Sequence, residues 1–123
     1  MTTILVVDDD PQLLKLIQQY LVSEGFRVVA VDNVDDGLKY SQSADALDLA
    51  IVDFWLNGAP STEVLDCLLE NRPTCPFIMM TGGNGDIPIE TTHAISKVSG
   101  AASFLQKPFR RAALVAEVRN LLG

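Results

Sequence analysis

Residues 4–11 read ILVVDDDP, an apolar run of strand length that breaks into three consecutive aspartates and a proline. Crowding three carboxylates at the end of a buried strand is costly unless a positive charge is expected there. The same grammar recurs downstream. LAIV, residues 49–52, ends at Asp53, and FIMM, residues 77–80, ends at Thr81. SFL, residues 103–105, leads into Gln106-Lys107-Pro108. Between these runs the apolar positions follow helical spacing, first at Leu13, Leu14, Ile17, Tyr20 and Leu21. Asp10 and Pro11 suit the N-cap and first position of that helix, and Gly25 suits its end.

The pattern continues with a strand over Val28–Val31, a helix from Val34 to Ser43 capped by Asn33 or Asp32, and a helix through Val64, Leu65, Leu68 and Leu69 that Ser61 can cap. A helix over 90–98 and a last helix carrying Leu114, Val115, Val118, Leu121 and Leu122 complete the series. Apolar strands alternating with helices imply a parallel sheet covered on both faces. In such sheets ligands bind beyond the carboxyl ends of the strands, where strand order reverses. Asp8, Asp9, Asp53, Thr81 and Lys107 all fall at such ends, so distant parts of the chain converge on one edge.

With 123 residues, the chain is read as one domain over 1–123. Its net charge of −7 lacks the basic footprint of a nucleic-acid binder, so no direct nucleic-acid contact is expected. No apolar stretch approaches the roughly 20 residues of a membrane span, and the start is unlike a signal peptide, which makes a cytoplasmic location and no membrane partner the expectation. Cys67 and Cys75 lack metal-ligand spacing and read as packed or partly exposed thiols rather than a disulfide.

Carboxylates gathered without histidine or cysteine suit a hard, oxygen-seeking cation such as Mg²⁺, for which Mn²⁺ could substitute. Asp53, alone on its strand, suits a nucleophile, and Lys107 and Thr81 can neutralise phosphoryl oxygens. Taken singly each residue has a structural alternative: a helix cap, a surface lysine, a turn threonine. Their joint placement on four strand ends favours function.

ILVVDDD, LAIVDF, FIMMTG and FLQKPF, in that order, resemble the motifs of response-regulator receiver domains of two-component signalling. The resemblance covers essentially the whole chain. It implies a flavodoxin-like (βα)₅ α/β fold, a three-layer sandwich around a five-stranded parallel sheet of order 2-1-3-4-5. It implies that Asp53 accepts a phosphoryl group from a sensor histidine kinase or histidine phosphotransfer protein, as a switch and not an enzyme with separate turnover. Asp9 and Asp53 would ligate Mg²⁺, Asp8 acting largely through water and Trp55 offering its backbone carbonyl. Thr81 and Lys107 would hold phosphoryl oxygens, and the Phe104 ring would follow the phosphorylation state together with Thr81. Output would pass to a downstream protein or a tethered output domain, or through a phosphorylation-dependent homodimer, by way of the fourth helix, fifth strand and fifth helix.

Some positions depart from the family pattern. Asn57 and Ser61 stand where a proline and a glycine are usual after the nucleophile, with Gly58 and Pro60 as substitute turn residues. The extra length between Thr81 and Lys107 is assigned to GGNGDIP, residues 82–88. Trp55 is bulky for its place, either shielding an acyl phosphate from water or packing over the loop. His93 reads as an exposed helix residue, and Arg110, Arg111 and Arg119 as solvated charges or a docking surface. Two other classes stay open. A pseudo-receiver has no need of the complete acid, threonine and lysine set. An aspartyl phosphatase generally carries an acid two residues past its nucleophile, where this chain has Trp55.

Overall fold

The computed structural model describes residues 1–82 and 100–122. The sheet strands are β1 (Thr3–Val7), β2 (Arg27–Val31), β3 (Leu49–Asp53), β4 (Phe77–Thr81) and β5 (Ser103–Gln106). The helices are α1 (Pro11–Ser23), α2 (Val34–Gln42), α3 (Thr62–Asn71) and α4 (Arg111–Leu122). The five strands pair in parallel in the order β2-β1-β3-β4-β5, as expected. The expected helix over 90–98, with His93 and most of the GGNGDIP loop, lies outside the described residues.

Strand side chains alternate between faces, so each continuous apolar run feeds two cores. Ile4 and Val6, Leu49 and Ile51, and Ile78 and Met80 pack on one side with Ile17 and Leu21 of α1 and Leu114 and Val118 of α4. Leu5 and Val7, Ala50 and Val52, and Phe77 and Met79 pack on the other with Val64, Leu65 and Leu68 of α3. The central strands β1, β3 and β4 are buried on both faces and therefore mostly apolar, while the edge strands β2 and β5 are partly exposed.

The helix ends follow local chemistry. The Asp10 carboxylate accepts the Gln12 and Leu13 amides at 3.0 and 3.3 Å, capping α1 at Pro11. Asn33 caps α2 by accepting the Asp36 amide at 2.8 Å. Gly25 takes the left-handed φ of 93° that ends α1 cheaply. At the far end of α2 the Arg72 guanidinium donates to the carbonyls of Ser41, Ser43 and Asp45 at 3.2, 2.8 and 2.7 Å. A charged fork thereby satisfies acceptors that a helix end leaves open.

One expectation changes. Ser61 stands at the N-cap of α3 but makes no side-chain cap, because its hydroxyl donates to the Asp53 carbonyl at 2.6 Å. Arg111 and Arg119 remain about half exposed, as solvated charges would, and both bond Glu24, at 2.7 and 2.9 Å, and lie over Tyr20 and Phe26, tying α4 to α1. The two guanidinium groups hold the Glu24 carboxyl below the usual range. Cys67 and Cys75 are free thiols, as expected, and burial pushes the Cys75 thiol up to about 11. No helix among the described residues is long and apolar enough to cross a membrane.

Candidate functional site

The crevice between the carboxyl ends of β1 and β3, the switch point of this strand order, is where an α/β sheet of this kind offers a site. β1 ends at Val7, which delivers Asp8 and Asp9 to the edge, and Asp53 is the last residue of β3. Oxygen atoms of Asp8, Asp9 and Asp53 lie within 4.8 Å of one another. Asp8 is fully buried and Asp53 is 5 % exposed, while Asp9 is half-buried at the rim.

Lys107 follows β5 and reaches across the crevice. Its Nζ lies 2.8 Å from Asp8 Oδ2 and 3.1 Å from Asp53 Oδ2, so one ammonium bridges acids from two other strands. Its backbone amide donates to the Thr81 carbonyl at 2.7 Å, which anchors the base of the side chain. The following Lys107–Pro108 peptide is cis.

Burial is the largest influence on Asp53 and, with the charge of Asp8, pushes its carboxyl up to about 6 against the pull of Lys107. Burial acts on Lys107 in the opposite direction, toward a lower value. The hydrogen bond it donates to Asp8 and the charges of Asp53 and Asp8 outweigh it, and the ammonium is held above its ordinary range. The cluster is therefore a carboxylate nest with one internal cation.

Thr81 ends β4, 2 % exposed, with its hydroxyl 3.4 Å from the Leu105 carbonyl, a long hydrogen bond. The structure brings Asp8, Asp9, Asp53 and Lys107 into one contact group and sets Thr81 on the adjacent strand end. Phe104 lies on β5, two strands from β3, and its side chain is outside the described part.

The segment after Asp53 is better ordered than a plain loop. Trp55–Leu56 and Ala59–Pro60 form a two-stranded antiparallel ladder turned by Asn57 and Gly58, whose φ values are 51° and 81°. Positive φ at both central residues is the mark of a type I′ hairpin turn, for which Asn-Gly is the preferred dipeptide. That dipeptide signal stands in the sequence at Asn57-Gly58. The hairpin closes over the site: the Asn57 amide donates to Asp9 Oδ2 at 2.9 Å. The Trp55 amide lies 3.4 Å from Asp53 Oδ1. Trp55 itself is partly buried and packs on the α3 side of the sheet, its ring centroid 6.3 Å from that of Phe54.

The donor set, all carboxylate oxygens with a backbone segment alongside, fits a small hard divalent cation such as Mg²⁺. An ionised carboxylate beside a fixed ammonium and a cation site can receive an electrophilic phosphorus.

Comparisons with known proteins agree. A family model described as the response regulator receiver domain matches residues 4–119. The C4-dicarboxylate transport transcriptional regulatory protein DctD of Pseudomonas aeruginosa is 34% identical over 122 residues, covering 98% of this chain and 25% of that protein. The transcriptional regulatory protein CpxR of Escherichia coli is 30% identical over 122 residues, covering 99% of this chain and 50% of that protein. The chain thus spans a quarter to a half of these relatives' length. Among solved structures, a receiver domain protein (CheY-like) from Methanospirillum hungatei superposes with a TM-score of 0.87 at 29% identity, covering 99% of this chain and 94% of that one.

Proposed function

The chain belongs to the response regulator receiver domain family, the phosphorelay switch of two-component signalling, and on that premise we propose that Asp53 is its phosphoacceptor. The donor is the phosphohistidine of a sensor kinase or of a histidine phosphotransfer protein. Asp9, Asp53 and the Trp55 carbonyl would hold Mg²⁺ directly, with Asp8 acting largely through water. Thr81 and Lys107 hold the phosphoryl oxygens. The observation that carries this reading is the Lys107 ammonium, 2.8 and 3.1 Å from two acids of a cluster with no other internal cation among the described residues.

In the transfer, the P–N bond of the donor breaks and a P–O bond to an Asp53 oxygen forms, the imidazole leaving with the electron pair. A carboxyl raised to about 6 is still ionised at neutral pH, as a nucleophile must be. Lys107 already touches Asp53 Oδ2, so its ammonium reaches a phosphoryl oxygen there without rearrangement of the chain. Asp8 fixes that ammonium from behind. Among the described residues, the Thr81 hydroxyl gives up a 3.4 Å hydrogen bond to Leu105 when it turns to donate to the phosphoryl group. Bound Mg²⁺ supplies neutralisation of the charge spread over the phosphoryl oxygens.

Phosphorylation then acts as a switch through Thr81 and Phe104, with no separate substrate turned over. Output passes to a downstream protein, a tethered domain or a second copy of the chain, in the cytoplasm. The docking face of the fourth expected helix lies outside the described residues, while its neighbours β5 and α4 are described. The test is labelling by acetyl phosphate: incorporation that requires Mg²⁺ and is abolished by Asp53→Asn supports the reading. Labelling that survives Asp53→Asn, or an unlabelled wild type, sinks it and favours a constitutive interaction module.

A further inference from the structure

Outside the acid cluster, the most unusual backbone in the described part is the turn at Asn57. It is the one described non-glycine residue with positive φ, and it is exposed. Asn-Gly suits the type I′ turn, and the turn places the Asn57 amide across the crevice from Asp9 Oδ2, 48 residues away in sequence, at 2.9 Å.

Further contacts fix the hairpin that carries this amide. Trp55 pairs with Pro60 and Leu56 with Ala59, while Leu56 is 1 % exposed in the α3-side core. Ser61 closes the base, its hydroxyl donating to the Asp53 carbonyl at 2.6 Å and its amide to Phe54 at 2.7 Å. The hairpin is thus anchored on the strand that carries Asp53, and its tip is bonded to the acid that follows β1. A charge-assisted bond of this kind restricts the rotation of a rim carboxylate that would otherwise swing into water.

We propose that the Asn57 amide is a positioning group for the cation site, holding Asp9 in register with Asp53 before the metal arrives. The inference rests on the reading of Asp8, Asp9 and Asp53 as that site. It assigns the function to the N–H and its positive φ rather than to the asparagine side chain. Proline, which stands here in the family pattern, has neither a donor nor access to φ of 51°. Glycine has both.

Mg²⁺ titration followed by the fluorescence of Trp55, the single tryptophan, tests this on the whole chain. Asn57→Pro is expected to weaken Mg²⁺ binding about tenfold or more, the usual cost of removing a group that orients a metal ligand. Asn57→Gly is expected to stay within about twofold of wild type, since it keeps the amide and its conformation. Hydrogen exchange supplies a readout without metal: the residue 57 amide is expected to be protected in wild type and exposed in Asp9→Ala, with the β1 and β3 amides unchanged as a control for folding. Undiminished Mg²⁺ binding by Asn57→Pro, an equal loss in Asn57→Gly, or an unprotected amide 57 in wild type would overturn the proposal. A wild type that binds no Mg²⁺ while amide 57 is protected overturns the cation-site reading itself, and the coupling with it.

Discussion

Replacing Lys107 with methionine removes the internal cation of the acid cluster while keeping most of the side-chain volume. Its ammonium lies 2.8 Å from Asp8, whose side chain is fully buried, and 3.1 Å from Asp53, whose side chain is 6 % exposed. Taking one partner from a buried ion pair generally costs about 3–5 kcal/mol, because the other charge stays behind. Here proton uptake limits the loss. Asp53, raised to about 6, can be neutralised at pH 7.5 for about 2 kcal/mol, 1.5 pH units at 1.36 kcal/mol each. Asp8 keeps the Asp10 amide at 2.9 Å but loses its ammonium, adding about 1–2 kcal/mol. The expected destabilisation is therefore about 3–4 kcal/mol at pH 7.5 in EDTA, measured by urea denaturation. It shrinks by roughly 1–2 kcal/mol at pH 5.5, where Asp53 is already largely protonated in wild type. Millimolar Mg²⁺ is expected to stabilise wild type and to narrow the gap, since ligand at 100 times its Kd contributes about 2.7 kcal/mol and the variant site is the more negative. A loss below about 1 kcal/mol in EDTA, or a gap that Mg²⁺ leaves unchanged, would refute the argument that Lys107 holds the cluster together.

Other outcomes follow from the same geometry. For Asp53→Asn in EDTA the sign comes from the raised carboxyl: the native state binds the extra proton between an unfolded value of about 4 and about 6. That stability is fully present below about pH 4 and lost as pH rises through about 6, so the variant is expected to exceed wild type by about 2 kcal/mol at pH 7.5 and not at pH 4. Urea denaturation at both pH values checks it. Arg72→Met strips three carbonyls at the end of α2 of their donor and is expected to cost about 2–3 kcal/mol in thermal or urea unfolding, with Arg72→Lys recovering only part because an ammonium cannot fork. Trp55→Asn is expected to speed loss of label from the phosphorylated chain if the indole shields the acyl phosphate. An unchanged rate would assign Trp55 to packing beside Phe54 alone.

The architecture was readable from residues 4–7, 49–52, 77–80 and 103–105 because strands buried on both faces must be apolar throughout, and turn and cap residues mark where they end. Asp10, Asn33 and Gly25 act where the local pattern places them, because caps depend on neighbours within a few positions. The site acids were readable as a set for the same reason: a parallel sheet delivers every strand's carboxyl end to one edge.

Partner choice was not readable, because it is decided between segments far apart in the chain. Ser61 looks like a cap until the fold sets its hydroxyl beside the Asp53 carbonyl. That the exposed Arg111 and Arg119 share Glu24 as a partner depends on α4 packing against α1. Asn57-Gly58 announces a hairpin, yet that its amide reaches Asp9 depends on how β1 and β3 lie side by side. As for ILVVDDDP, its strand, its break and its helix start are local facts of composition. The division of the three aspartates into a cap, a rim acid held by a backbone amide and a buried acid held by Lys107 is set by distances across the sheet, which no one-dimensional pattern contains.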